Sequence, residues 1–81
     1  MDATEILAQV NLIFKDVLDN DELEIKNETT AKDVEEWDSL THIQLVVAIE
    51  KHFKIRFTAT EIQGFKNVGE MCEGILKRIQ A

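Results

Sequence analysis

Proline is absent from this chain, and it holds three glycines and one cysteine. With a single thiol no internal disulfide can form, which fits a reducing compartment, so a cytoplasmic location is expected. The glycines stand apart from one another, so there is no glycine-rich loop to cradle a phosphate. No apolar run approaches the length of a membrane span. The start, MDATEILAQV, lacks a basic region and does not read as a signal peptide. Positive charge is also short: the formal net charge is −7, which argues against a nucleic-acid backbone as partner. Repeats and low-complexity tails are missing too.

What is present suits one small folded domain spanning 1–81. Hydrophobic residues make up 44% and charged residues 31% of the 81 residues. A core of this size contributes a net stability of only about 3–5 kcal/mol and leaves little room for a catalytic cleft. Charge is unevenly spread. Residues 1–38 hold twelve acids and three bases, a net of −9; residues 39–81 hold four acids and six bases, a net of +2. The acidic half suits a basic partner surface, or equally a solvated loop that maintains solubility.

The apolar spacing is helical. After an N-terminal capping pattern at Asp2-Ala3-Thr4-Glu5, Ile6, Leu7, Val10, Ile13, Phe14, Val17 and Leu18 recur on one face, and Asp19-Asn20-Asp21 ends the helix. Residues 19–38 are polar, with Leu23, Ile25 and Val34 as isolated anchors. So long a loop is usually functional or disordered. From Ser39 the periodicity returns, and Leu40, Ile43, Val46, Val47, Leu45, Ile49 and Phe53 cover more than one face. That predicts a central helix touching several neighbours. Ile55 and Phe57 alternate too briefly for a strand. Thr58-Ala59-Thr60-Glu61 is a second capping box, with Gly64 as a candidate C-cap, and together they bracket a short helix. A last helix carries Val68, Met71, Cys72, Ile75, Leu76 and Ile79. Gly69 and Gly74 within it cost about 1 kcal/mol each against alanine, a sign of tight packing. The expected fold is an all-α four-helix bundle, with three longer helices, a short third one and a long loop between the first and second.

Several chemistries fail on spacing. A calcium loop starting at Asp19 would need glycine and glutamate where Glu24 and Thr30 stand. His42, His52 and Cys72 lack metal-ligand spacing, and Cys72 falls on an apolar stripe as a small buried thiol. His52, among lysines, reads as a surface residue. Ser39 and His42, three apart on one helix, suggest a hydrolytic dyad, but no nucleophile elbow surrounds Ser39 and no third residue orients the histidine. On periodicity alone Ser39 is a helix N-cap after Asp38. The same helix start also offers free N–H groups and the positive end of the helix dipole to an attached phosphate.

Residues 37–53, WDSLTHIQLVVAIEKHF, resemble the D-S-L helix of acyl carrier proteins. Residues 55–60 and 68–79 resemble the entry to the family's short third helix and its fourth helix. The resemblance implies a non-catalytic carrier. Ser39 would bear 4′-phosphopantetheine, transferred from coenzyme A by a phosphopantetheinyl transferase, with Asp38 and Leu40 as flanking recognition residues. The arm would hold acyl or aminoacyl groups as thioesters for a loading enzyme, an acyltransferase or a ketosynthase. Glu35, Glu36, Leu40, Gln44, Val47 and Glu50 would form the docking face of a monomer. Members serving fatty acid synthesis carry acids along the second helix. Here Thr41, Gln44 and Lys51 replace them and only Glu50 keeps the sign, which points to a specialised pathway. Trp37 replaces the commoner small residue and is expected to act as a hydrophobic staple. The alternative is a small helical interaction module in which Ser39 is only a cap.

Overall fold

The computed structural model describes residues 2–80, except for the side chain of Gln80. It contains four helices: α1 Ala3–Val17, α2 Ser39–Phe53, α3 Ala59–Gly64 and α4 Val68–Gln80. No strand occurs among the described residues, and none of their helices is long and apolar enough to cross a membrane.

Helix α1 starts where Asp2 accepts the Glu5 N–H at 2.9 Å. Its stripe of Ile6, Val10 and Phe14 is fully buried, as the i, i+4, i+8 spacing demands. The helix closes with Leu18 donating to the Phe14 carbonyl, and Asp19 turns the chain at φ 53°. Among residues with a side chain, asparagine and aspartate tolerate that left-handed conformation best. Helix α4 presents Val68, Met71, Cys72 and Ile75 to the same core, and α2 presents Leu45, Val46 and Ile49.

The hub is α1, which packs against both α2 and α4. Helix α2 also meets α3 and the first loop through His42. Its second apolar face, Leu40, Ile43 and Val47, is exposed rather than covered by another helix. Gly64 corrects an expectation. It is the last residue of α3, and no glycine has a positive φ. The left-handed helix stop is instead Lys54, the C-cap of α2 at φ 59°.

The long first loop is a sequence of turns tied into the core. Ile25, Val34 and Trp37 are buried along it. Asn11 of α1 accepts the Ile25 N–H at 3.0 Å, and Asn20 donates to Glu36 at 2.9 Å. The loop also caps α4: the Thr29 and Asn27 carbonyls accept the N–H groups of Val68 and Gly69 at 2.9 and 2.8 Å. Those donors have no partner within their own helix. The glycine has a reason to be there: a Cβ on Gly69 would stand 3.0 Å from the Asn27 carbonyl oxygen. One on Gly74 would stand 3.1 Å from the Phe57 ring. Both glycines thus mark the tight packing their helix penalty implied.

At the far end, Arg78 of α4 pairs with Glu61 of α3. It also lies 4.8 Å over the Phe57 ring. Glu61 and Thr58 form the second capping box. The Thr58 N–H is the main cause holding the Glu61 carboxyl below its ordinary value, and Arg78 adds to it.

Candidate functional site

The head of α2 is built by Asp38. Its carboxylate accepts the N–H groups of Leu40 and Thr41 at 3.0 and 2.9 Å. Thr41 Oγ1 answers by accepting the Asp38 N–H at 2.8 Å and donating to the Glu36 carbonyl at 2.8 Å. This reciprocal box stops the helix from unwinding toward the loop. The Thr41 N–H chiefly holds the Asp38 carboxyl below its ordinary value; partial desolvation opposes this, and the Thr41 hydroxyl and Leu40 N–H reinforce it.

Asp38 is therefore the cap, and Ser39 is the first helical residue beyond it. That removes the reading of Ser39 as the N-cap. Its side chain is exposed, and it is the chain's only serine. Two of the N–H groups at this helix head are taken by the cap. Asp38 engages the donors of Leu40, Thr41 and, through its carbonyl, His42.

Trp37, just before the cap, is 4% exposed. Its ring meets Phe14 edge-on at 5.1 Å and stacks on His42 with centroids 6.0 Å apart. These are the two positions of a staple across the helix entry, with imidazole as the inner partner. The indole Nε1–H donates to His42 Nδ1 at 3.1 Å. The other ring nitrogen, Nε2, lies 2.8 Å from the Ile62 carbonyl on α3. Both nitrogens are thus engaged away from Ser39, so the histidine is no base for that hydroxyl. His52 is exposed and contacts Gln9.

Beside Ser39 lies an open groove of about 380 Å³. Trp37, His42 and Ile43 form one wall, Ile62 and Phe65 the other, and Asp38 and Lys66 stand among its charged lining residues. The outer face of α2 continues from it. Leu40 is 70%, Ile43 52% and Val47 42% exposed, with Gln44 exposed beside them. Ile43 belongs to this face although it was not among the expected docking residues. Glu35 and Glu36 precede the face, and the exposed Lys51, Lys54 and Arg56 follow it. Glu50 is half-buried, and its carboxylate accepts the Phe57 N–H at 2.8 Å. It therefore braces the chain after α2 as well as carrying charge.

Other candidates carry no site. No group of three or more potential metal ligands occurs among the described residues. Burial pushes the Cys72 thiol up to about 11, which leaves little thiolate at neutral pH.

A family model described as "Phosphopantetheine attachment site" matches residues 8–75. Among solved structures, the chain is 39% identical to the holo acyl carrier protein from Geobacter metallireducens. That match covers 93% of this chain and 86% of the other, with a TM-score of 0.87. A proposed acyl carrier protein from Mycobacterium tuberculosis shares the fold at 24% identity. It covers 89% of this chain and 96% of the other, with a TM-score of 0.80. A search of curated proteins finds no match.

Proposed function

This chain belongs to the acyl carrier protein family, and on that premise we propose that Ser39 is its attachment residue and that it serves a specialised biosynthetic pathway. A carrier of this family is not an enzyme, and it takes 4′-phosphopantetheine covalently. The observation that carries the assignment is a hydroxyl both exposed and unused by the cap, on the only serine in the chain. In the transfer, Ser39 Oγ bonds to the pantetheine-bearing phosphorus of coenzyme A. The bond from that phosphorus to the rest of the pyrophosphate breaks, adenosine 3′,5′-bisphosphate leaves, and the hydroxyl proton passes to a base on the transferase. Once attached, the arm supplies a terminal thiol on which cargo is held as a thioester. Tethering then raises the effective concentration of cargo at each docked enzyme.

The residues around Ser39 supply recognition. Asp38 fixes the helix head and so the direction of the hydroxyl. Leu40, with Gln44 and Val47 on the same face, offers an apolar docking strip. Glu35 and Glu36 place negative charge at its start, and Glu50 lies toward its end. The strip then runs into Lys51, Lys54 and Arg56, so the docking face has two signs of charge. This pattern favours partners other than enzymes that read a uniformly acidic second helix. The classes it admits are an acyl- or aminoacyl-loading enzyme, an acyltransferase or a ketosynthase, each meeting a single domain of residues 1–81 acting as a monomer.

Treatment with coenzyme A and a broad-specificity phosphopantetheinyl transferase tests the assignment. The intact mass is expected to rise by one phosphopantetheinyl group and a fast-reacting thiol to appear, distinct from the buried Cys72. Ser39→Ala abolishes both. An adduct that survives this substitution overturns the assignment.

A further inference from the structure

We infer that His42 is a positioning residue that ties the loop at Trp37 to α3 across the head of α2, along the groove beside Ser39, and that its protonation releases the Trp37 side of this tie. The indole N–H is a donor only. His42 Nδ1 therefore accepts from Trp37 and carries no proton. A neutral ring then bears its proton on Nε2, which donates to the Ile62 carbonyl. The imidazole is thereby fixed in one tautomer and links three parts of the fold: the loop at Trp37, α2, and α3 at Ile62. Phe65, beyond α3, closes edge-on over the same ring at 6.5 Å. Trp37, His42, Ile62 and Phe65 all line the groove next to Ser39.

Protonation cannot leave this arrangement intact. An imidazolium carries a proton on both nitrogens, so Nδ1–H would face the indole N–H donor to donor. The Trp37 N–H, on a residue 4% exposed, would lose its acceptor away from water. The charges around the ring do not remove this conflict. From the loop and helix head, the Asp38 carboxylate lines the groove but is committed to Leu40 and Thr41. From the segment after α3, the Lys66 ammonium lines it too and opposes a second positive charge. On α3 itself, Glu61 precedes Ile62 in sequence and pairs with Arg78. Helix α1 contributes Phe14, which touches Trp37 and carries no charge. The tie to Trp37 thus requires the neutral ring, and acid releases it while the Nε2–H bond to Ile62 persists. The groove matters to cargo only through the carrier reading, on which this inference rests. The measurements below use the apo protein and need no attachment at Ser39, so the two readings fail separately.

Nitrogen-15 NMR of the apo protein, titrated between about pH 8 and pH 5, tests the inference. At the upper end His42 is expected as the Nε2–H tautomer, with the Trp37 indole proton protected from exchange. Protonation of His42 is expected to shift the Trp37 indole and the Ile62 amide with the same midpoint, while titration of His52 moves neither. His42→Phe keeps a ring for stacking but removes both hydrogen bonds. It should speed exchange of the Trp37 indole proton by about tenfold and abolish the pH response at Ile62. His42→Gln can place an amide donor near the Ile62 carbonyl and should restore protection at α3 without the pH response. The Nδ1–H tautomer, or Trp37 and Ile62 signals that stay fixed while His42 protonates, overturns the inference, and the wild-type titration decides this even where a variant folds poorly.

Discussion

Asp38 and Ser39 divide one helix start between them: the first caps and the second keeps its side chain exposed. The division makes a pH prediction. The Asp38 carboxyl is held below its ordinary value of 3.8, so its charged form stabilises the fold above that value. This contribution is lost as pH falls through the lowered folded-state value. Asparagine caps helices nearly as well without charge. Asp38→Asn should therefore flatten the acid limb of the melting temperature against pH, and its difference from wild type should shrink in strong acid. An unchanged acid limb would show that the carboxylate is not engaged in solution. Residue identity alone did not separate these roles, because both residues are good caps and only backbone geometry selects one. The serine's uniqueness, by contrast, was open to a simple count. The Trp37–His42 link was half-legible: Trp37 was expected to act as a staple, but nothing in the sequence marked His42, at the fourth helical position, as its inner partner.

Elements show where periodicity informs and where it misleads. The stripes of α1 and α4 predicted their buried residues, because a one-sided stripe has one way to be buried. Helix α2 has two apolar faces, and periodicity cannot tell a face covered by a neighbour from one left exposed. Hence the exposure of Leu40, Ile43 and Val47 needed the fold. The first loop was opaque for a different reason. Its order comes from Asn11, Asn20, Thr29 and backbone carbonyls, none of which carries a periodic signal. Its hold on α4 is testable through two glycines. Gly69→Ala should lower the unfolding free energy by about 1 kcal/mol despite the better helix propensity. The Asn27 carbonyl it crowds cannot retreat without losing the Gly69 N–H. Gly64→Ala, where an added Cβ meets nothing within 4 Å, should raise it by up to about 1 kcal/mol. Denaturant midpoints that shift in the same direction for both would contradict the capping of α4 by the loop.

Across the molecule, charge and apolar surface are arranged around the head of α2. The acidic residues 1–38, with a net of −9, lead into the exposed strip of Leu40, Ile43 and Val47, and bases close its far end. The charge division was plain from the sequence, and the strip's exposure needed the fold. Reversing Glu35 and Glu36 to lysine should slow phosphopantetheinyl transfer by a basic transferase several-fold at low ionic strength. Added salt should narrow that gap, because exposed charges are screened. Rates indifferent to both changes would reduce the acidic segment to a solubility feature.

The central claim is that one exposed serine converts this bundle into a carrier. Fragment mass spectrometry of the protein after transfer from coenzyme A tests it most directly. The predicted result is a single phosphopantetheinyl group localised to Ser39 and absent from the Ser39→Ala variant. A modification mapped to any other residue, or an unmodified chain under conditions that load a control carrier, would contradict it.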